Sequence, residues 1–394
     1  MSESIGAPGS QASLREANSA RILDAVKIYG QLTQVDLAAA TGLSPATVSN
    51  IVKQLLAAGV VETRATTRSG RRAQLVTLKR LTSLAVGIHV RPRSLDVSLV
   101  DTALDTVAHH TMPLPPEHRH DTTLDRAALL IGEVAEAHGA TLHEIVGVGV
   151  AMPASSRPGV PVALPIWEDV DVAHVLQRRV GAPVFIERET DAAAVAEARL
   201  GALRGVTCGV YVRVGEVTDS AIVQNGGLLA AGTTPPAGLG HVRVAPGGAI
   251  CRCGARGCLN TVVSLDALRE SLRLSHGPLS LRAILQAAAS GDRGCQQVIA
   301  DAGVAIGDAL ADLVTVLGPE KVVIGGPLAQ AGDLLLGPVA DALAGRPLID
   351  ATDGLVSPSA VPGHAETLGV VARVFEQVVW SQALEGAMKE AADG

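Results

Sequence analysis

One short segment of the sequence carries four side chains that can bind a soft metal ion. His241, Cys251, Cys253 and Cys258 follow the spacing H-x9-C-x-C-x4-C and fall within eighteen residues. Four such ligands can close a tetrahedron around Zn(II), and the glycines between them permit the tight loop that must wrap the ion. Because four protein ligands leave no open coordination position, the motif predicts a structural rather than a catalytic zinc. A set of free thiols is the alternative.

The cysteine distribution also bears on where the protein works. The chain has five cysteines, and three of them lie in this motif, which favours a metal site in a reducing compartment over a disulfide framework. The isolated Cys208 and Cys295 are expected to be small buried hydrophobic residues. The first ten residues lack a basic region followed by an apolar run, and the uncharged stretch 220–242 contains two prolines and five glycines. We therefore expect a cytoplasmic protein without a membrane-spanning helix.

The composition excludes several classes of protein. With 394 residues, 47% of them hydrophobic and 18% charged, the chain is too apolar to be disordered and too long for one core, so two or three domains are expected. Only two Trp, two Tyr and two Phe occur, so an aromatic platform for single-stranded bases is lacking. Residues 1–80 hold 10 basic and 5 acidic side chains, and the remainder holds 22 and 34. A basic module on an acidic body is the layout expected of a DNA reader joined to another domain.

The basic module begins with two predicted helices. An apolar stripe predicts the first helix from about residue 18 to Gly30. Thr33 with Asp36 three residues later is typical of an N-terminal cap and predicts a short second helix. That helix is expected to end at Gly42, because glycine readily adopts the left-handed conformation found after helices.

A third helix is the predicted DNA-reading element. Ser44 followed by Pro45 is a start signal, and the apolar stripe Val48, Ile51, Val52 and Leu55 is expected to be buried. The opposite face carries short side chains that can approach base edges, with one lysine for phosphate: Ser44, Ala46, Thr47, Ser49, Asn50 and Lys53. This face lacks the paired Glu and Lys typical of a solvated helix. A helix-turn-helix is therefore favoured over the alternative, an ordinary three-helix bundle.

A β-hairpin is predicted directly after these helices. Residues 60–63 and 73–76 are expected to form its strands and to flank a loop of residues 66–72. The loop carries three arginines that can enter a minor groove or contact phosphates: Arg68, Arg71 and Arg72. A solvated loop is the alternative.

These elements together predict a winged helix-turn-helix over residues 13–80, after a disordered leader of residues 1–12. One recognition helix covers few base pairs, so useful specificity for double-stranded DNA normally needs two copies on a palindromic operator. The sequence therefore implies a homodimer or a tetramer.

From residue 84 the pattern changes to strands that alternate with helices, which indicates α/β layering. The predicted strands are residues 84–90, 95–100, 145–151, 183–186, 208–212 and 321–324, and the predicted helices are residues 124–138, 190–203, 265–272, 295–317 and 365–384. Because a second set of strands begins at Cys208, the body is expected to have two lobes.

The chain resembles the ROK family (repressors, open reading frames and sugar kinases), in its transcription-regulator branch, over essentially its full length. The resemblance is carried by residues 14–23 at the entry to the winged helix, the motif of His241 and three cysteines, and the segments 147–153, 162–172 and 322–326. It implies two actin-like, ribonuclease-H-like lobes of the sugar-kinase type. The first would be residues 83–203, completed by a C-terminal helix of residues 365–386, and the second residues 204–364 with the zinc motif.

The sequence departs from the family's kinases where ATP would bind. Residues 89–92 (HVRP) stand in place of an Asp-x-Gly-Gly phosphate loop, and residues 215–219 (GEVTD) replace a second glycine-rich loop. Proline lacks an amide donor and the acidic groups repel phosphate, so we expect neither loop to bind ATP. The catalytic Asn-Asp pair corresponds to Arg188-Glu189, in which we expect the Glu189 carboxylate to be held against the Arg188 guanidinium. No enzymatic activity is expected.

The resemblance also implies an effector cleft. Two glutamates that contact sugar hydroxyls in sugar-binding members correspond to Gly238 and Asn260, which weakens recognition of the original sugar. The implied cleft residues are Trp167, Glu187, Arg188, Glu189, Gly238, His241 and Asn260. The acidic groups, with Asp191, suit a cationic or amino-bearing ligand, and a sugar or amino sugar is the family's class. A salt-bridged structural cluster is the alternative.

The motifs together predict a homodimeric, sequence-specific transcriptional regulator, a repressor, whose body holds zinc and senses an effector. Two alternatives stay open. One is a sugar kinase that uses ATP and carries a DNA-binding appendage, and the other is a regulator that has lost ligand binding.

Overall fold

The described residues contain three β-sheets. The computed structural model describes residues 18–19, 21–23, 25–26, 31–57, 60–68, 71–78, 83–115, 118–153, 167, 170–229, 238–349, 354–361 and 363–380. One sheet of three strands lies N-terminal to two sheets of five strands. No helix within these ranges is long and apolar enough to cross a membrane.

The N-terminal unit, termed the head, is a helix-turn-helix with a β-hairpin. Its elements are β1 Gln31–Thr33, α1 Gln34–Thr41, α2 Pro45–Ala57, β2 Val61–Arg68 and β3 Arg71–Leu78, and helical backbone also occurs in residues 18–26 where they are described. The Thr33 hydroxyl accepts the Asp36 backbone N–H at 3.3 Å, and the Asp36 carboxylate accepts the Thr33 backbone N–H at 3.2 Å. Gly42 ends α1 with a φ of 69°. The predicted capping box and glycine stop are confirmed.

The core of the head is built from the predicted apolar stripe of α2. The four side chains of the stripe are buried: Val48, Ile51, Val52 and Leu55. They pack in one cluster with Ile22, Leu23 and Val26 of the preceding helical segment. Burial of these side chains fixes which face of α2 remains outside.

Lobe 1 follows as a mixed sheet flanked by helices. Its elements are β4 Leu84–Arg91, β5 Ser94–Asp101, β6 Thr106–Pro113, α3 His120–Ala137, β7 Ile145–Met152, α4 Val172–Val180, β8 Val184–Arg188 and α5 Glu189–Leu200. The strand order is β6-β5-β4-β7-β8, with β4, β7 and β8 parallel and β5 and β6 antiparallel. The carboxyl ends of β4 and β8 therefore lie at the same edge of the sheet, where ligands of α/β proteins bind.

Lobe 2 repeats this topology. Its elements are β9 Cys208–Arg213, β10 Asp219–Gln224, β11 Gly227–Leu228, α6 Asn260–Val263, α7 Leu265–His276, α8 Leu281–Ala289, α9 Arg293–Leu317, β12 Lys321–Gly325, α10 Asp333–Ala344 and β13 Val356–Pro358. The order β11-β10-β9-β12-β13 places the third, second, first, fourth and fifth strands side by side, as in lobe 1. The duplicated strand order confirms the predicted two-lobed α/β body.

The C-terminal helix, α11 Ala365–Val374, packs on the sheet of lobe 1 and against α5. Two glycines permit this close approach. A Cβ atom on Gly369 would lie 1.7 Å from the backbone oxygen of Ala192, and one on Gly87 would lie 2.4 Å from that of Thr367. A π-helical turn continues α11 through residues 375–380.

Several predicted boundaries differ from the structure. The hairpin strands reach Arg68 and Arg71, so most of the loop predicted for residues 66–72 is paired strand. Polar residues on this hairpin hid the strand signal, because the prediction relied on apolar alternation. Nine elements were not predicted: β1, β6, β10, β11, β13, α4, α6, α8 and α10. The leader 1–12 and residues 381–386 lie outside the described residues.

Candidate functional site

The predicted reading face of α2 lies on the surface of the head. Ser44, Ala46, Asn50 and Lys53 are exposed, and Thr47 and Ser49 are half-buried. The Ser44 hydroxyl accepts the Thr47 backbone N–H at 3.1 Å and so caps the helix. Lys53 is the one long charged side chain on this face, so the major groove of a DNA duplex can approach the helix backbone closely.

The wing hairpin places two of the predicted arginines opposite each other. In the register of β2 and β3, Arg68 pairs with Arg71 and Thr67 pairs with Arg72. The side chains of these arginines lie outside the described residues, so only their position at the hairpin tip is given by the backbone.

The four predicted metal ligands converge in lobe 2. Their ligand atoms all lie within 4.8 Å of one another. The His241 Nδ1 and Cys251 Sγ atoms are 3.5 Å apart, and the Cys253 and Cys258 Sγ atoms are 3.6 Å apart. Ligands about 2.0–2.3 Å from a tetrahedral zinc are separated by about this much, so the donor set and its geometry fit Zn(II).

The thiols of this cluster differ in acidity. Burial and hydrogen bonds to the other two thiols raise the pKa of Cys258 to about 12. Burial also acts to raise the pKa of Cys253, but hydrogen bonds from the Ala255 backbone N–H and the neighbouring thiols lower it overall. Negative charge in the cluster is therefore best accommodated on Cys253.

Part of the predicted effector cleft gathers around Asp219, at the start of β10. The Arg188 Nη1 atom lies 2.7 Å from the Asp219 carboxylate. Burial raises the pKa of the Asp219 carboxyl overall, whereas Arg188, His241 and a hydrogen bond from the Gly238 backbone N–H act to lower it. Asn260 joins this group because its Oδ1 atom accepts the neighbouring Thr218 N–H at 2.7 Å.

The predicted contact between Glu189 and Arg188 is wrong. Arg188 instead forms a two-pronged ion pair with Asp191, at 2.8 and 2.5 Å, besides its contact with Asp219. Glu189 lies 2.9 Å from Nη1 of Arg213 and 3.0 Å from Nε2 of His89. The reason is geometric: Arg188 ends β8 and Glu189 begins α5, so the two side chains leave the backbone in different directions.

Arg213 and Glu366 complete a buried charge network with His89 and Glu189. The Arg213 Nε atom donates to the Glu366 carboxylate at 2.9 Å, and Glu366 lies 3.9 Å from the Nδ1 atom of His89. Burial alone would raise the pKa of Glu366, but His89 and Arg213 outweigh it and lower this pKa to about 2. The network joins both lobes and α11.

Two predicted cleft residues lie elsewhere. Trp167 is buried in the core of lobe 1, with its ring edge-on to His118 at 5.6 Å. Glu187 pairs with Arg373 of α11 at 3.3 Å, and burial raises the pKa of its carboxyl.

Three residues of these clusters were not predicted as site residues: Asp219, Arg213 and Glu366. A charged residue at the end of an apolar strand is a signal for a site at the sheet edge, and Arg213 ends the strand CGVYVR. Glu366 gave no such signal, because one glutamate in a helix is usually solvated.

Comparison with known proteins places this geometry in a family. Residues 85–353 match the ROK family, and residues 16–72 match the MarR family. The DNA-binding transcriptional repressor Mlc of Escherichia coli K12 is 27% identical over 354 residues, in an alignment that covers 85% of this chain and 87% of Mlc. The glucokinase of Thermotoga maritima is 29% identical over 272 residues, in an alignment that covers 64% of this chain and 85% of that enzyme.

A solved structure shares the whole architecture. The crystal structure of a ROK family transcriptional regulator, a homolog of the E. coli MLC protein, superimposes with a TM-score of 0.74 at 22% identity and covers 95% of this chain and 99% of that one. The match of residues 85–353 alone spans more than half of the sequence. The chain therefore belongs to the ROK family.

Proposed function

We propose that this protein is a sequence-specific transcriptional repressor that binds double-stranded DNA in the cytoplasm through its winged head. The observation that carries the proposal is the exposed polar face of α2, on a helix whose other face is buried. The match of residues 16–72 to the MarR family and the likeness to the repressor Mlc support it.

The test is DNA binding by the full-length protein, measured by fluorescence anisotropy on DNA from its own upstream region and on a scrambled duplex. We expect tighter binding to the upstream DNA, with an affinity that falls as salt rises. Arg71→Ala should weaken binding and reduce the salt slope by about one. Equal affinity for both duplexes would contradict the proposal.

We further propose that the protein binds its operator as a homodimer, or as a tetramer of two dimers. The support is the size of the head, because one recognition helix contacts only a few base pairs. Light scattering on the free protein and a footprint on the operator test this, and a symmetric, two-part footprint is expected.

The cluster of His241 and three cysteines is proposed to hold a structural Zn(II). All four ligands come from the protein, so the ion would fix the loop around residues 241–258 and leave no position for a substrate. Ligand chemistry and spacing support this assignment.

An effector site is proposed beside this cluster. A cavity of about 260 Å³ is lined by His241, Asn260, Glu216 and Asp266, among other residues. Carboxylate and amide oxygens suit the hydroxyl or amino groups of a sugar, an amino sugar or a small cation. At a hundred times its dissociation constant such a ligand should stabilise the protein by about 2.7 kcal/mol in thermal-shift assays. Stabilisation by none of the three classes would favour a regulator that has lost its effector.

We infer that the body is not a kinase. Glu189, which corresponds to the catalytic carboxylate, is held by Arg213 and His89 and is not free to take a proton from a sugar hydroxyl. Likeness to the Thermotoga glucokinase is the reason to test this directly. Turnover of ATP with any hexose, abolished by Glu189→Ala, would overturn the inference.

A further inference from the structure

A second group of three side chains that can bind a metal ion lies in lobe 2, between the end of α7 and the start of α9. His276 is the last residue of α7, Asp292 directly precedes α9, and Cys295 lies in the first turn of that helix. One nitrogen, one carboxylate oxygen and one sulfur atom of these residues all lie within 4.8 Å of one another. The sequence predicts only that Cys295 is buried, and it is 0% exposed.

The hydrogen bonds around His276 leave its Nε2 atom facing two acceptors. The Ser275 hydroxyl donates to the Leu272 carbonyl at 3.2 Å, so it serves as the acceptor for the Nδ1–H of His276 at 2.7 Å. With its ring proton on Nδ1, a neutral imidazole has only a lone pair on Nε2. The two oxygens of the Asp292 carboxylate each lie 3.1 Å from that nitrogen. Acceptors that face each other at this distance need a cation between them, which is either a proton or a metal ion.

The start of α9 is shaped to admit the imidazole ring. A Cβ atom on Gly294 would lie 2.8 Å from Cε1 of His276, so a side chain at this position would displace the ring. The Asp292 carboxylate is held from the other side by the Cys295 backbone N–H at 2.8 Å. The side chains of His276 and Asp292 are 25% and 37% exposed. An ion can therefore enter from solvent and reach the buried sulfur at the base of the group.

We propose that His276, Asp292 and Cys295 bind a divalent transition-metal ion of the zinc class, separately from the cluster of His241 and three cysteines. Imidazole nitrogen, carboxylate oxygen and thiolate sulfur are the three donor types that proteins offer to Zn(II). A tetrahedral zinc holds its ligand atoms about 3.2–3.8 Å apart, so this group must contract by about 1 Å at most. On binding, the Cys295 thiol loses its proton to solvent.

Such an ion would tie the end of α7 to the start of α9 and close the segment 277–291, which includes α8, into a loop. Three protein ligands leave the fourth coordination position to water. With one ligand fewer, the site should bind more weakly than the cluster of His241 and three cysteines, so it fills only when metal is added to the purified protein. Metal that binds the folded chain in this way stabilises lobe 2.

The test is titration of the full-length, zinc-loaded protein with Co(II), after unbound zinc has been removed by gel filtration. A Co(II)–thiolate bond absorbs in the near ultraviolet and the visible, so the spectrum reports a sulfur ligand directly. We expect one further ion per chain together with this absorption. Cys295→Ser should abolish the absorption, whereas Cys208→Ser, which removes a thiol outside both groups, should retain it. Absorption that survives in Cys295→Ser would come from cobalt at the other cluster and would overturn the proposal.

Two variants that keep every cysteine decide the matter if Cys295→Ser does not fold. His276→Gln removes a partly exposed ligand and should weaken Co(II) binding at least about tenfold, and Gly294→Ala should weaken it about tenfold by misplacing that ligand. The matched control is His138→Gln, at an exposed histidine that ends α3. If the wild type takes up no further Co(II), or if His276→Gln binds it as tightly as His138→Gln, a proton alone joins His276 to Asp292 and the proposal is wrong.

Discussion

At the scale of single residues, the exposed face of α2 offers side chains for two kinds of DNA contact, one to phosphates and one to base edges. Lys53 is exposed and can neutralise a phosphate, whereas Asn50 is exposed and can pair with a base edge. The two side chains lie three residues apart on one helix, so under the proposed function they would contact the same stretch of DNA. Their substitutions should nevertheless have different consequences.

Asn50→Ala should narrow the affinity gap between operator and scrambled DNA by about 1–3 kcal/mol, because a base contact carries the discrimination. Lys53→Ala should weaken binding to both duplexes alike and reduce the salt slope by about one. Anisotropy titrations from 50 to 200 mM salt, roughly the range in which such slopes are resolved, measure both effects. If the two variants change the affinity gap and the salt slope in the same way, the assignment of Asn50 to a base and of Lys53 to a phosphate is wrong.

The metal ligands allow a second prediction at this scale. Cys258→Ser should lower the zinc content of the purified protein from one ion per chain to near zero and make lobe 2 less stable, because a thiolate ligand is lost. Cys208→Ser is the matched control, since Cys208 is half-buried at the start of β9 and lies outside this cluster. Metal analysis and thermal melts check the outcome. Equal zinc in both variants would contradict the assignment of the site.

At the scale of elements, the helix-turn-helix depends on the cap of α1. Thr33 is buried, and its hydroxyl satisfies the backbone N–H of Asp36. Thr33→Ala should cost about 1 kcal/mol of local stability, so amides of residues 34–41 should exchange with deuterium about fivefold faster. Thr33→Ser keeps the hydroxyl and should exchange like the wild type. An unchanged rate in Thr33→Ala would mean that tertiary packing alone holds α1.

The elements of the head were largely predictable because their signals are local. A capping pair, a glycine stop and an apolar stripe occupy adjacent positions, and each depends on physics within one or two turns of helix. The metal motif is local for the same reason. The charge network was not predictable, because His89, Arg213 and Glu366 are separated by more than a hundred residues and meet only through the order of strands.

The missed elements have a related explanation. Strand β6 carries His109, His110 and other polar residues at an exposed sheet edge, so it lacks a clear alternation of apolar residues. Helix α10 contains Pro338, which normally argues against a helix interior. In both cases tertiary context overrides the local preference.

At the scale of the whole molecule, the head and the body share one apolar core. Ile22, Val26 and Val48 of the head belong to the same buried cluster as Ala193 of α5 and Val371 of α11. A change in the position of α11 relative to lobe 1 would therefore alter the support of the head. This continuity offers one physical route from a ligand in the body to the head.

The last prediction concerns the carboxylate that joins α11 to both lobes. The pKa of Glu366 lies near 2, below its ordinary value of 4.5. A depressed carboxyl pKa stabilises the folded state above the unfolded pKa, and this stabilisation is lost as pH falls from about 4.5 toward 2. Glu366→Gln should therefore lower the Tm most at pH 7, by roughly 10 °C, because a buried guanidinium loses one partner. Calorimetry at pH 7 and pH 3 measures the difference.

The difference in Tm between wild type and Glu366→Gln should shrink at pH 3, because the Glu366 carboxyl of the unfolded wild-type chain is protonated there and most of the stabilisation is lost. Burial raises the pKa values of Asp191 and Asp219, so their protonation acts in the opposite direction, but it acts in both proteins and cancels in the comparison. Glu136→Gln, at an exposed site on α3, removes the same formal charge and should leave the Tm nearly unchanged at either pH. If Glu366→Gln lowers the Tm equally at both pH values, the ionised carboxylate does not hold α11 to the lobes. Any coupling between the body and the head would then depend on apolar packing alone.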